Sequence, residues 1–225
     1  MGYHIDTALI WEKFKEKNEC PICEIEKIVE GWIVEQFLTE AVMEDASRER
    51  VNKSGFCARH FRMLFNGLNK LGTALQTHTR MQRVFESIVF EEKDKKFDAV
   101  IANHRKQTCT CAICEQIEFN MNRYYETVAQ MYKKEKDFPA LLAKSRGFCL
   151  DHYAQLLEKA KFAGLKKKEY EKELVRVERE NWQRLMDELD WFCDKFDHRN
   201  ADKPWGTSKD SLERCISKLQ KHTFR

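Results

Sequence analysis

Glycine and proline are scarce in this chain, eight and three among 225 residues. Long irregular loops are therefore expected to be few and helices to dominate. No apolar run approaches the roughly 20 residues that a membrane helix needs. Residues 1–18 have no signal-type apolar core, and carry Glu12, Lys13, Lys15, Glu16 and Lys17 instead. A cytoplasmic protein without a membrane segment is the expectation. An excess of one charge is missing too: 40 basic side chains face 37 acidic ones, a net charge of +3. That balance does not favour nucleic acid through bulk electrostatics, though it leaves such a partner open. Paired carboxylates, a nucleophile elbow and a phosphate loop are all absent, which weighs against an enzyme.

What is present suits a folded helical protein, with 42% hydrophobic and 34% charged residues. Apolar positions recur at the helical period. Ile25, Ile28, Val29, Trp32, Ile33 and Phe37 mark a long helix from about residue 22 to 41. Phe61, Leu64, Phe65, Leu68 and Leu71 form a broad stripe that predicts a helix packed on a core and ended by Gly72. His78, Met81, Phe85 and Ile88 continue the pattern, with His78 expected as a core histidine. Trp182, Leu185, Leu189, Phe192 and Phe196 resemble a short coiled-coil seam, expected to pack on the equivalent helix of the first half or on another subunit.

Nine cysteines are an odd number, so they cannot all pair within one chain, and a reducing compartment favours metal binding over disulfides. Eight positions form two copies of one pattern. Cys20-Pro-Ile-Cys23 is followed by Gly55-Phe-Cys57-Ala-Arg-His60, and Cys111-Ala-Ile-Cys114 by Gly147-Phe-Cys149-Leu-Asp-His152. An offset of 91 superposes the first half-motifs and one of 92 the second, as an internal duplication with a one-residue insertion would. The expected architecture is all-α, a duplicated helical bundle with repeats at 1–105 and 106–225. Each half is expected to be stapled by its own Cys3His site at helix N-termini.

Residues i and i+3 share one helix face, so each C-x-x-C or C-x-x-H at a helix start offers two donor atoms together. Cys20 fits an N-cap and Pro21 the first helical position. Two such starts complete a tetrahedron of three thiolates and one imidazole, which with Zn2+ carries a net charge of about −1. Two helix N-termini, each worth roughly half a positive charge, would offset it. Two zinc ions per chain are expected, with an iron–sulfur cluster as the alternative. Four protein ligands leave no open position, so the sites read as structural rather than catalytic. Cys109, Cys193 and Cys215 stand outside the pattern.

The segment after residue 192 gathers His198, Arg199, Asn200 and Trp205 without a counterpart in the first half, and is a candidate for recognition. At Cys20-Pro-Ile-Cys23, Gly55-Phe-Cys57 with His60, the second Cys/His set and the Lys195-Phe-Asp-x-Arg199-Asn200…Pro204-Trp205 tail, the chain resembles an uncharacterised bacterial family. Its members are found mainly in anaerobic Gram-positive organisms. The resemblance covers nearly the whole chain and implies no activity. The functional expectation is a non-enzymatic, zinc-stabilised helical module that binds a protein or nucleic-acid partner and could form a homo-oligomer. The alternative is a redox- or metal-responsive protein with reactive thiolates or iron–sulfur clusters.

Overall fold

The computed structural model describes residues 7–88 and 97–221. Ile5, expected on the apolar face of a short first helix, and the charge cluster at 91–96, expected to join the two halves, lie outside them. Among the described residues there are eleven α-helices and no strand. They are α1 (Thr7–Lys15), α2 (Pro21–Leu38), α3 (Asp45–Ser54), α4 (Ala58–Asn66), α5 (Lys70–Glu86), α6 (Phe97–Thr108), α7 (Ala112–Lys134), α8 (Phe138–Ala143), α9 (Leu150–Glu158), α10 (Lys167–Asp194) and α11 (Ser211–Leu219). None is long and apolar enough to cross a membrane.

The chain divides into two compact units, but not at residue 105. One takes residues 1–27 and 121–225; the other takes 28–120. The helices explain the division. The first residues of α2 belong to the first unit and the rest to the second, whereas α7 begins in the second unit and ends in the first. The Cys-x-x-Cys pair at each helix start is thereby separated from the half-motif that follows it in sequence.

In the first unit Ile10, Phe14, Phe138, Phe148, Tyr170 and Leu174 are buried. Phe14 lies 5.2 Å from Phe138 and 6.1 Å from Phe148 between ring centroids, within the range of attractive aromatic pairs. Helix α10 packs on α8, α9 and α11 of this same unit. It finds these partners within its own unit. Of its seam only Leu185 is fully buried, while Phe196 is exposed.

In the second unit Ile33, Phe37, Val51, Phe56 and Leu64 form the core, with the Phe56 ring 5.6 Å from Phe37 and 5.3 Å from Phe61. Helix α5 departs from expectation. Its buried side chains are Thr73 and Gln76, with Gly72 beside them, while Leu71, Leu75, His78, Met81, Phe85 and, just past the helix end, Ile88 are exposed. Polar groups set this rotation. Gln76 Nε2 donates to the Phe37 carbonyl at 2.8 Å, and Arg80 donates to the Asn52 and Lys53 carbonyls at 2.5 and 3.2 Å. Those carbonyls lie at the ends of α2 and α3, where no helical donor remains for them. Gly72 does not end a helix. It lies in the first turn of α5, where a side chain would collide with Asn69 and Val42.

Candidate metal centres

Four cysteines stand immediately before helices: Cys20 before α2, Cys57 before α4, Cys111 before α7 and Cys149 before α9. Cys57 and Cys149 are N-caps with extended backbone, ψ 165° and 159°. Gly55 and Gly147 turn the chain into them at φ 64° and 78°, a region that other residues enter only with strain. At Gly147 a Cβ would also lie 2.7 Å from Glu178 Oε2. Backbone N–H groups of the first turns reach the sulfurs: Cys23 N is 3.4 Å from Cys20 Sγ, and Cys114 N is 3.5 Å from Cys111 Sγ. Helix starts therefore deliver both a thiolate and donors that stabilise it.

The donor atoms converge in two groups, and the pairing is crossed. Cys20 and Cys23 meet Cys149 and His152 in the first unit, while Cys57 and His60 meet Cys111 and Cys114 in the second. The expected closure of each site within one sequence half is corrected here: every site combines half-motifs from both. All eight predicted ligand positions fall in these two groups, and within each group the donor atoms lie within 4.8 Å of one another. Among the described residues these are the two convergent groups of this kind. Cys109 and Cys193 are exposed, and the Cys215 thiol lies 3.6 Å from the Leu185 carbonyl.

A tetrahedral ion with sulfurs at about 2.3 Å and nitrogen at about 2.0 Å requires sulfur–sulfur edges of about 3.8 Å and sulfur–nitrogen edges of about 3.5 Å. His152 Nδ1 lies 3.5, 3.4 and 3.2 Å from the sulfurs of Cys20, Cys23 and Cys149, and Cys23 Sγ is 3.6 Å from Cys149 Sγ. His60 Nδ1 lies 3.3, 3.2 and 3.4 Å from Cys57, Cys111 and Cys114, with Cys57 Sγ 3.9 Å from Cys114 Sγ. Both sets match the edges of a four-coordinate thiophilic ion, and Nδ1 is the facing nitrogen in each.

A carboxylate faces the opposite ring nitrogen in both cases, hydrogen-bonded to it in the second unit. Glu30 Oε1 is 3.0 Å from His60 Nε2, and Glu26 Oε2 is 3.1 Å from His152 Nε2. Both glutamates are buried and sit one turn apart on α2. Each has a cation as well: Arg59 at 2.6 Å from Glu30, and Lys221 at 3.3 Å from Glu26. The sequence reading missed these two residues. The signal available was their spacing, since Cys20, Cys23, Glu26 and Glu30 follow steps of three, three and four along one helix face.

Crowding sets the proton affinities of the bare groups. In the second unit the Cys114 hydrogen bond, aided by His60, pulls Cys111 down to about 3 and pushes the Cys114 thiol up. Burial lowers His60, yet hydrogen bonds to Cys111 and Glu30 outweigh it and hold the imidazolium up at about 9. In the first unit hydrogen bonds from Cys20 and Cys23 pull Cys149 far down, and those from Cys149 and Cys20 push Cys23 up. His152 is raised well above the usual range, because the Cys20 charge and nearby hydrogen bonds overcome its burial.

The two groups differ in access. Cys20, Cys149 and His152 are buried and Cys23 half-buried, whereas Cys57 is half-buried and Cys114 exposed.

The tail residues lie elsewhere in the first unit. Lys195 Nζ donates to the carbonyls of Asn200, Ala201 and Lys203 at 2.7, 2.9 and 2.6 Å, winding the segment 195–203 around one ammonium. Asn200 Nδ2 donates to the Asp194 carbonyl at 2.9 Å, and the Trp205 ring packs 5.7 Å from Phe192. His198 and Arg199 are 93% and 78% exposed and both lie beside Asp197. Asn200 and Trp205 are thus tied into the turn, while His198 and Arg199 face solvent.

Fold and donor geometry define an all-helical protein with two Cys3His groups suited to holding metal. The chain belongs to a family of unknown function, DUF6062, whose model matches residues 1–225. It is similar to an uncharacterised 23.9 kDa protein encoded in the xynA 3′ region of Caldicellulosiruptor sp. (strain Rt8B.4), 22% identical over 191 residues, which span 84% of this chain and 87% of that protein. No solved structure matches.

Proposed function

We propose that this is a non-enzymatic, two-zinc helical protein in which both ions are structural and the folded surface serves to bind a macromolecular partner in a reducing, cytoplasmic compartment. The observation that carries the reading is the closure of both sites. In each group three sulfurs and one nitrogen converge so as to supply all four corners of a tetrahedron, and a buried glutamate faces the second nitrogen of each histidine. A substrate or water would find no corner free, so zinc here would supply fold stability, on the order of 10 kcal/mol of apparent binding free energy per site. The partner-binding part of the reading is supported by the apolar residues that α5 exposes.

A second reading has its own support. Cys114 is exposed and Cys57 half-buried, so the thiolates of the second unit are open to oxidants, as a redox-responsive site requires. Elemental analysis and a visible spectrum of protein purified without oxygen test the zinc reading against the iron–sulfur form of the second. About two zinc atoms per chain and a colourless solution are expected; iron with sulfide and a brown colour would replace the structural reading with a cluster protein.

A further inference from the structure

The two centres differ in where they obtain the cation beside their buried glutamate. In the second unit it comes from inside the half-motif: Arg59, between Cys57 and His60, lies 2.6 Å from Glu30. The offset of 92 that superposes the half-motifs puts Asp151 at that step, between Cys149 and His152. A carboxylate thus stands in the first unit where the second has a guanidinium. With a metal set of net charge about −1, Glu26 and Asp151 would add two further negative charges around one centre. Lys221 answers both. Its Nζ lies 2.6 Å from Asp151 Oδ2 and 3.3 Å from Glu26 Oε1.

Lys221 sits just past the end of α11, and α11 is fastened where both half-motifs of this centre begin. Glu19, the residue before Cys20, pairs with Arg146 and Arg214 at 3.3 Å each and with Arg184 at 2.5 Å. Buried Lys218 donates to the Arg146 carbonyl at 2.7 Å, beside the Gly147 turn that leads to Cys149. The helix also packs along α10. Arg214, Lys218 and Lys221 follow steps of four and three, a single row that reaches from Glu19 to Glu26. All of these residues belong to the first unit.

We propose that α11 is a strap that completes the first metal centre, supplying through Lys221 the outer cation that the Cys149-Leu-Asp-His152 half-motif lacks. The strap thereby sets how tightly that centre holds its ion. This rests on the metal reading of the Cys3His groups given above. The ammonium offsets the negative charge that gathers when three thiolates form beside two carboxylates, and it keeps Glu26 placed against His152. Lys221 is a positioning residue and touches no ligand atom. The second centre carries Arg59 within its own half-motif and needs no strap, so α11 governs one ion and not the other.

The test uses the full chain loaded with cadmium, which gives each centre its own NMR resonance, in competition with a chelator. The resonance missing from Cys20→Ser identifies the first centre. K221A should lower affinity there at least about threefold and leave the other centre unchanged. R59A should do the reverse. K221A/D151R should restore the first centre, because its half-motif then carries a guanidinium at the step that Arg59 holds in the other. A packing role for Lys221 would not be rescued from position 151. Both side chains reach solvent, so all variants should keep the wild-type helical signal. The proposal is overturned, and the metal reading left standing, by an affinity that K221A does not move or that it lowers equally at both centres. A K221A/D151R protein as weak as K221A has the same meaning. A wild type that takes up no ion overturns both.

Discussion

Glu30 shows how a single side chain governs a site it does not enter. To hold a metal through Nδ1, His60 must be neutral with its proton on Nε2, and Glu30 accepts that hydrogen bond at 3.0 Å. Replacing Glu30 with Gln should weaken metal binding at the second-unit site about tenfold or more, read by competition with a chelator, and leave the other site unchanged. The same contacts set the pH dependence. His60 is held up at about 9 and the Cys114 thiol is pushed up, so both are protonated at neutral pH and both must lose a proton to act as ligands. The bound state carries fewer protons, so affinity rises with pH and is lost on acidification. With at least these two protons released, the change is about a hundredfold or more per pH unit below the His60 value. Chelator competition at a series of pH values measures that slope. A slope near zero would mean that neither group gives up a proton on binding.

At the scale of helices, the crossed pairing predicts which cysteines act together. Cys20→Ser and Cys149→Ser should each remove one zinc per chain, and the double variant should still remove only one. Cys20→Ser with Cys57→Ser should remove both. Elemental analysis of the purified variants decides it, and loss of both metals from the Cys20/Cys149 pair would contradict the geometry. The eight donors were legible in the sequence because i, i+3 spacing at a helix start and the Gly-Phe break before it are local features. Their partnership was not legible. Either pairing of the half-motifs gives three cysteines and a histidine, and nearness along the chain favours the one not formed. What decides it is that α2 and α7 each begin in one unit and end in the other. The rotation of α5 was hidden for a related reason. Periodicity identifies the apolar face of a helix, but the open carbonyls of Phe37 and Asn52, which draw Gln76 and Arg80 inward, arise only once other helices have ended beside it.

At the scale of the whole molecule, each unit contains one complete donor set, and neither set can be completed by residues 1–105 or 106–225 alone. The order in which the chain is made therefore matters. Cys20, Cys23, Cys57 and His60 leave the ribosome before any other ligand, and they alone amount to three sulfurs and an imidazole. The Cys23-to-Cys57 separation is 34 residues, whereas the native contacts close 57 residues from Cys57 to Cys114 and 126 from Cys23 to Cys149. Loop-closure entropy favours this shorter local closure over the two native ones by about 0.5 and about 1.2 kcal/mol, so it offers no protection against an early wrong closure. Metal present at the start of refolding should then trap part of the population in the local, misligated set and add a slow phase. Metal withheld until the helices have collapsed should not. Following the helical signal under the two orders of addition tests this. For such a chain, the supply of free zinc during synthesis becomes a kinetic variable, with scarcity favouring the native fold and abundance delaying it.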